Sequence, residues 1–134
     1  MVEQTLVFIK PEGVARGLTG RIVSRFEDKG FKVAALEMLT MTDAMADLHY
    51  YEHLQKPFYP GLKAHLTSGP IVAMIIEGDN VIAAVRTMVG PTNPLEAQPG
   101  SIRGDFGSHI SLNIIHASDS PESATREIQN FFRN

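Results

Sequence analysis

Four apolar stretches punctuate the chain, and between them apolar residues recur every three or four positions. Thr5–Ile9 (TLVFI) runs without a polar break until Lys10-Pro11, and Gly69–Gly78 (GPIVAMIIEG) is framed by glycines. Runs without alternation predict strands buried on both faces. Phe31–Met41 (FKVAALEMLTM) is as apolar, and its period alone separates strand from helix poorly; Gly30 before it and Thr42-Asp43 after it favour a strand. The fourth strand is the short run Asn113–His116 (NIIH). Helical spacing of Ile22, Val23 and Phe26 predicts a helix over Thr19–Lys29, with Thr19 as its cap and Gly30 as its stop. Met45, Leu48 and Tyr51/Glu52 predict a second helix, and Leu62–Thr67 a short third one after the proline-rich turn KPFYPGL. Val81, Ile82, Val85 and Met88/Val89 mark a fourth. The last begins at Ser120-Pro121 and buries Ala124, Ile128, Phe131 and Phe132. KPEGVARGL reads as a loop, and so does Gly90–Gly107, which carries Pro91, Pro94 and Pro99; a loop that long inside a small chain is functional or disordered.

The resulting order, β-α-β-α-β-α-β-α, contains two βαβ-like halves. It predicts an α+β fold in which a ferredoxin-like four-stranded antiparallel sheet, with a βαββαβ core, is covered by helices. A doubly wound parallel sheet is the alternative. One domain over residues 1–134 is expected, since a chain of 134 residues with 43% hydrophobic and 20% charged residues builds one core. A net charge of −3 gives no reason to expect nucleic acid or an anionic membrane as a partner. The absence of cysteine removes disulfides, thiolate metal sites and cysteine nucleophiles, and fits a reducing compartment. The N-terminus has no secretory pattern, so a cytoplasmic location is expected.

Candidate chemistry begins at His116, where a buried strand opens into the polar turn ASDS. A histidine there is either a structural residue bonded to backbone or a chemical group. Glu127 lies next to the buried stripe of the last helix, where a carboxylate needs a partner. An imidazole that donates one ring N–H to a carboxylate keeps a free lone pair on the other nitrogen and can act as a nucleophile. The polar residues in apolar or Gly/Pro surroundings are mostly cations: Lys10 at the end of the first strand, Arg86 on a helix, and Arg103 in SIRGDFG. One ammonium and two guanidinium forks suit a polyphosphate. Arg16, Arg21, Arg25, Arg126 and Arg133 read as solvated surface. No Walker sequence is present, so a P-loop does not hold the phosphates. Phe58 in KPFYPGL either offers a stacking face to a nucleobase or covers the core.

Together these residues resemble the nucleoside diphosphate kinases. NIIHASDS resembles the family signature N-x-x-H-[GA]-S-D-S, and the likeness runs through KPEGVARGLTG, HYYEHLQKPFYPGL, TSGPIVAM, GPTNPLEAQPGSIRGDF and PESATREI, in order along nearly the whole chain. The resemblance implies ping-pong transfer of the terminal phosphate from a nucleoside triphosphate, chiefly ATP, to a nucleoside diphosphate. His116 would carry the phosphate on Nδ1, Ser118 and Glu127 would orient it, and Lys10 and Tyr50 would lie near the transferred group. Arg86, Thr92, Arg103 and Asn113 would contact phosphates and sugar, and Phe58 would stack on the base. Mg²⁺ would arrive with the nucleotide, and no protein metal site is implied. A homo-oligomer is expected, a hexamer in preference to a tetramer.

The sequence departs from the family pattern at few positions. Ala117 follows the histidine where many members have glycine, and no positive φ is expected there. Val85 precedes Arg86 where a small residue is common. A catalytically idle relative predicts loss of His116, Lys10 or an arginine, and all are present. A histidine phosphotransfer module is a helical bundle, against which the glycine-framed strands argue.

Overall fold

The computed structural model describes residues Met1–Phe132, so Arg133 lies outside the described residues. Its sheet has the order β2-β3-β1-β4 and is antiparallel at every pairing. The strands are β1 (Val2–Ile9), β2 (Lys32–Leu39), β3 (Ile71–Asp79) and β4 (Ile115–Ala117). This is the expected ferredoxin-like arrangement, and the antiparallel ladders exclude the doubly wound alternative.

Side chains of β1 alternate between two cores. Val7 and Ile9 join Ile22 and Phe26 of α2 (Thr19–Asp28) and Val81, Val85 and Val89 of α5 (Val81–Val89). Leu6 and Phe8 face Ala46 of α3 (Asp43–His49), Leu66 of α4 (Tyr59–Leu66) and Phe131 of α7 (Pro121–Phe132). Helices on both faces explain why TLVFI and IVAMII show no polar alternation. Each fully buried Leu, Ile or Phe contributes about 1.5–3 kcal/mol, so the two cores hold β1 and β3 as the rigid centre.

Two segments expected as loops contain helices. The first is α1 (Pro11–Ala15), with Pro11 in its first turn. The second is α6 (Ile102–Phe106), where the Ser101 hydroxyl accepts the Gly104 N–H at 3.1 Å. A Cβ on Gly104 would sit 2.0 Å from the Gln98 carbonyl oxygen, so only glycine permits this turn. Five-residue helices are too short to declare themselves by period and form here through packing. The Gly90–Gly107 loop is tied down by Arg25, which pairs with Asp105 at 2.7 Å, and by Arg16, which donates to the Phe106 carbonyl at 2.7 Å.

Smaller corrections concern element ends. Thr19 is the first residue of α2, not its cap; the preceding residue is Leu18, and no side chain caps the helix. Tyr59 and Pro60 belong to α4, which therefore starts inside the proline-rich turn. The predicted second helix stops at His49, and Tyr51–His53 form a 3₁₀ turn. Ser120 does cap α7, its hydroxyl accepting the Ser123 N–H at 3.1 Å.

Candidate active site

His116 is the middle residue of β4 and pairs in register with Phe8 of β1. The two rings stack, with centroids 4.9 Å apart and 24° between planes. His49, the last residue of α3, meets the imidazole edge-on at 4.6 Å. His116 Nε2 lies 2.7 Å from Glu127 Oε1, which also accepts from Ser118 Oγ at 2.8 Å. The carboxylate selects the tautomer with hydrogen on Nε2 and leaves the lone pair on Nδ1. No hydrogen bond among the described residues engages Nδ1.

Electrostatics reinforce that state. Burial, and after it the positive charges of Lys10, Arg103 and Arg86, push the His116 pKa down to about 3, so the ring is neutral at physiological pH. His49 is pushed down too, by burial first and then by His116. Glu127, 5% exposed, is pushed up by burial, against the pull of His49, Ser118 and Arg126.

A second group surrounds Asn113. Lys10 Nζ donates to Asn113 Oδ1 at 2.7 Å, and Asn113 Nδ2 donates to the Thr92 carbonyl at 3.0 Å. Burial and then Arg103 lower the Lys10 pKa to about 8, which leaves the ammonium mostly charged at neutral pH. Arg103 is 5% exposed and donates to three carbonyls: Asn113 at 3.1 Å, Gly90 at 3.0 Å and Ile115 at 2.7 Å. Three of its five N–H groups are therefore spent on the backbone. Burial and then Arg86 lower its pKa to about 10, still charged at neutral pH. Arg86 is exposed and donates to the Ala117 carbonyl at 3.3 Å.

The turn that joins these groups is strained. Ile114 has φ 77, and Ile115 N–H bonds back to Asn113 C=O at 2.9 Å, a γ-turn rare for a β-branched residue. Ala117 has no positive φ, as expected; the left-handed residue lies on the other side of His116.

Tyr50 and Phe58 lie on the α3–α4 hairpin. The Tyr50 ring stands 6.4 Å from His116 and 4.5 Å from His49, and burial raises its pKa, keeping the phenol protonated. Phe58 is 55% exposed beside His53, at 5.5 Å, so it does not cover the core. One cleft is lined by His49, Tyr50, His53, Arg86, His116, Asp119 and Arg126.

Three participants were not anticipated from sequence. His49 reads only as part of a helix, and Glu12 as part of a loop. Arg126, taken as surface, reaches to 3.5 Å from Glu127 Oε2 and stacks its guanidinium 4.7 Å over Tyr51. His49, His116 and Glu127 bring ligand atoms within 4.8 Å of one another. Imidazoles are poor donors for Mg²⁺, and the surrounding Lys10, Arg86, Arg103 and Arg126 oppose a bare cation. No helix among the described residues is long and apolar enough to cross a membrane.

Comparison with known proteins agrees with this geometry. The family model described as nucleoside diphosphate kinase matches residues 3–134. A nucleoside diphosphate kinase of Methanocorpusculum labreanum is 59% identical over 127 residues, covering 95% of this chain and 85% of that one. A cytosolic nucleoside diphosphate kinase of Dictyostelium discoideum is 53% identical, covering 98% and 84%. The structure of a halophilic nucleoside diphosphate kinase from Halobacterium salinarum in complex with CDP superposes with a TM-score of 0.97 at 43% identity, covering 100% of this chain and 90% of that one. A fold, a histidine bonded to a buried carboxylate and a set of nearby cations thus coincide with sequence likeness over nearly the whole length, and the chain belongs to the nucleoside diphosphate kinase family.

Proposed function

We propose that this enzyme carries the phosphoryl group on Nδ1 of His116 between a nucleoside triphosphate, chiefly ATP, and a nucleoside diphosphate, in two half-reactions at one site. The observation that carries the assignment is the Nε2 contact with Glu127 at 2.7 Å, which leaves a neutral ring with its lone pair on Nδ1. That lone pair attacks the terminal phosphorus; the Nδ1–P bond forms and the bond to the bridging oxygen breaks, releasing the diphosphate. The ring gains positive charge as the bond forms, and Glu127 stabilises it through Nε2–H. In the second half-reaction a terminal oxygen of the acceptor diphosphate attacks phosphorus, and the Nδ1–P bond breaks.

Lys10, Arg86 and Arg103 offset the charge on the transferring group, where positioning and electrostatics supply most of the catalysis. Ser118 holds Glu127, and Tyr50 closes the cleft beside the histidine. Thr92 and Asn113 meet phosphates and sugar. Phe58 stacks on the base without reading its edge, so purines and pyrimidines are both accepted. Mg²⁺ enters with the nucleotide, held by its phosphates, and neutralises part of their charge.

The one domain is expected to work in the cytoplasm as a homo-oligomer, hexameric in preference to tetrameric. Support comes from β2, an edge strand that exposes Leu36 at 50% and Met38 at 59%. Light scattering of the purified protein measures the assembly.

The central test is the intact mass after incubation with MgATP alone. Gain of one acid-labile phosphoryl group, absent in His116→Ala and discharged by GDP, is expected. A folded, nucleotide-binding protein that gains nothing refutes the shuttle.

A further inference from the structure

Glu12 is a largely buried carboxylate, 11% exposed, to which the phosphoryl shuttle assigns no task. Its two oxygens reach different parts of the molecule. Oε2 accepts the N–H of Ile114 at 3.0 Å, the residue held at φ 77. Oε1 lies 2.6 Å from Nε2 of His65, on α4. No other residue among the described ones is hydrogen-bonded through its side chain both to the strained turn and to the α3–α4 hairpin. We propose that Glu12 is a positioning residue of this site, holding the Ile114 turn with one oxygen and tying α4 to that turn through His65 with the other. The inference rests on the phosphohistidine reading above.

The turn needs a holder because a β-branched residue in the left-handed region costs on the order of 1–3 kcal/mol and persists only when its surroundings over-determine it. Three further bonds fix its carbonyls. Lys10 N–H donates to Ile114 at 2.8 Å, and Arg103 donates to Asn113 and Ile115. Glu12 alone holds the Ile114 N–H. Below the turn α1 packs tightly: a Cβ on Gly13 would come within 2.7 Å of Ile9 Cγ2 and 3.3 Å of Ile114 Cγ2. The turn in turn sets Asn113, which holds Lys10, and His116 two residues beyond Ile114. Glu12 also favours the charged form of Lys10.

The other oxygen acts at a distance. Phe58 immediately precedes α4, so the proposed base platform adjoins the start of that helix and His65 lies near its end. A nucleotide seated on Phe58 therefore bears on a helix whose far end is anchored to the turn that aims the nucleophile. Loss of His65 frees that helix, whereas loss of Glu12 frees the helix and the turn together.

Single-turnover phosphorylation by MgATP separates these effects, because it gives both the saturated rate and the half-saturating ATP concentration. Glu12→Ala is expected to lower the saturated rate roughly 10–100-fold, the scale of an ångström-sized misplacement of reacting groups. Glu12→Gln, which retains an oxygen for the Ile114 N–H, should recover most of that loss. His65→Leu should raise half-saturating ATP about fivefold and lower the saturated rate less than Glu12→Ala does, since only the link to α4 is cut. A Glu12→Ala protein with the wild-type saturated rate and only a lower melting temperature overturns the inference. Should Glu12→Ala not fold, His65→Leu decides: unchanged half-saturation overturns the link to α4, and a rise supports it. Failure of the wild-type protein to gain phosphate would instead sink the phosphohistidine reading itself.

Discussion

Two regions of the candidate site are built differently. At the phosphate end every polar side chain among Ser118, Glu127, Lys10, Asn113 and Arg103 is 8% exposed or less, and each makes at least one hydrogen bond. Around Phe58, the proposed base platform, exposure rises to 55%, and the contacts are ring against ring with His53 or cation over ring with Lys56. Geometry is fixed where a bond must form in line and left loose where only a flat face is needed. On the proposed function, the difference teaches how one pocket would be strict about phosphate position and tolerant of the base.

Glu127→Ala should break the phosphate end most severely. Its loss leaves the His116 Nε2–H without an acceptor, costing about 1–3 kcal/mol, and leaves Ser118 only its longer bond to the Leu6 carbonyl at 3.3 Å. The rate of phosphoenzyme formation should fall on the order of 100-fold by rapid quench, and the urea midpoint should drop as well. A rate within twofold of wild type would show that the histidine needs no orienter. Phe58→Ala should act only at the base end. Half-saturating concentrations of purine and pyrimidine triphosphates should rise by similar factors, about tenfold, with little change in the saturated rate, as expected for a stacking contact worth about 1–3 kcal/mol. A loss confined to one base class would mean that the edge is read after all.

A smaller effect concerns Lys10, whose charge is present below pH about 8 and lost above it. Nucleotide binding to the free enzyme should weaken several-fold as pH rises through that value, by calorimetry. The folding contribution runs the other way. Between about 8 and the ordinary 10.5 the unfolded chain binds more protons at this residue, so Lys10 makes stability rise with pH in that window. Smallest of all, Thr42→Ala removes the cap that accepts the Met45 N–H at 3.1 Å and should cost α3 about 1 kcal/mol, lowering the melting temperature by a few degrees.

The same contrast governs how much could be read from the sequence. β1, β3, α2, α5 and α7 are legible because burial on one face or two imposes a period, and His116 with Glu127 is legible because both lie within one strand–turn–helix unit. Glu12 is not, since its partners Ile114 and His65 lie 102 and 53 residues away and only the folded chain joins them. Arg103 reads as a free phosphate fork, yet three of its bonds go to carbonyls that no pattern predicts. The short helices α1 and α6 hide in proline and glycine because packing, not propensity, makes them. The Ala117 expectation succeeded for a simple reason: the residue sits within β4, where extended backbone suits any side chain.

Stacked on Phe8, met edge-on by His49 and bonded through Nε2 to Glu127, the imidazole of His116 is held in one orientation. On the proposed phosphohistidine mechanism, a ring kept in that orientation offers one nitrogen to phosphorus, so the choice between two constitutional isomers of phosphohistidine is made by the ring's neighbours. A digest of the phosphorylated protein should yield the Nδ1 isomer alone.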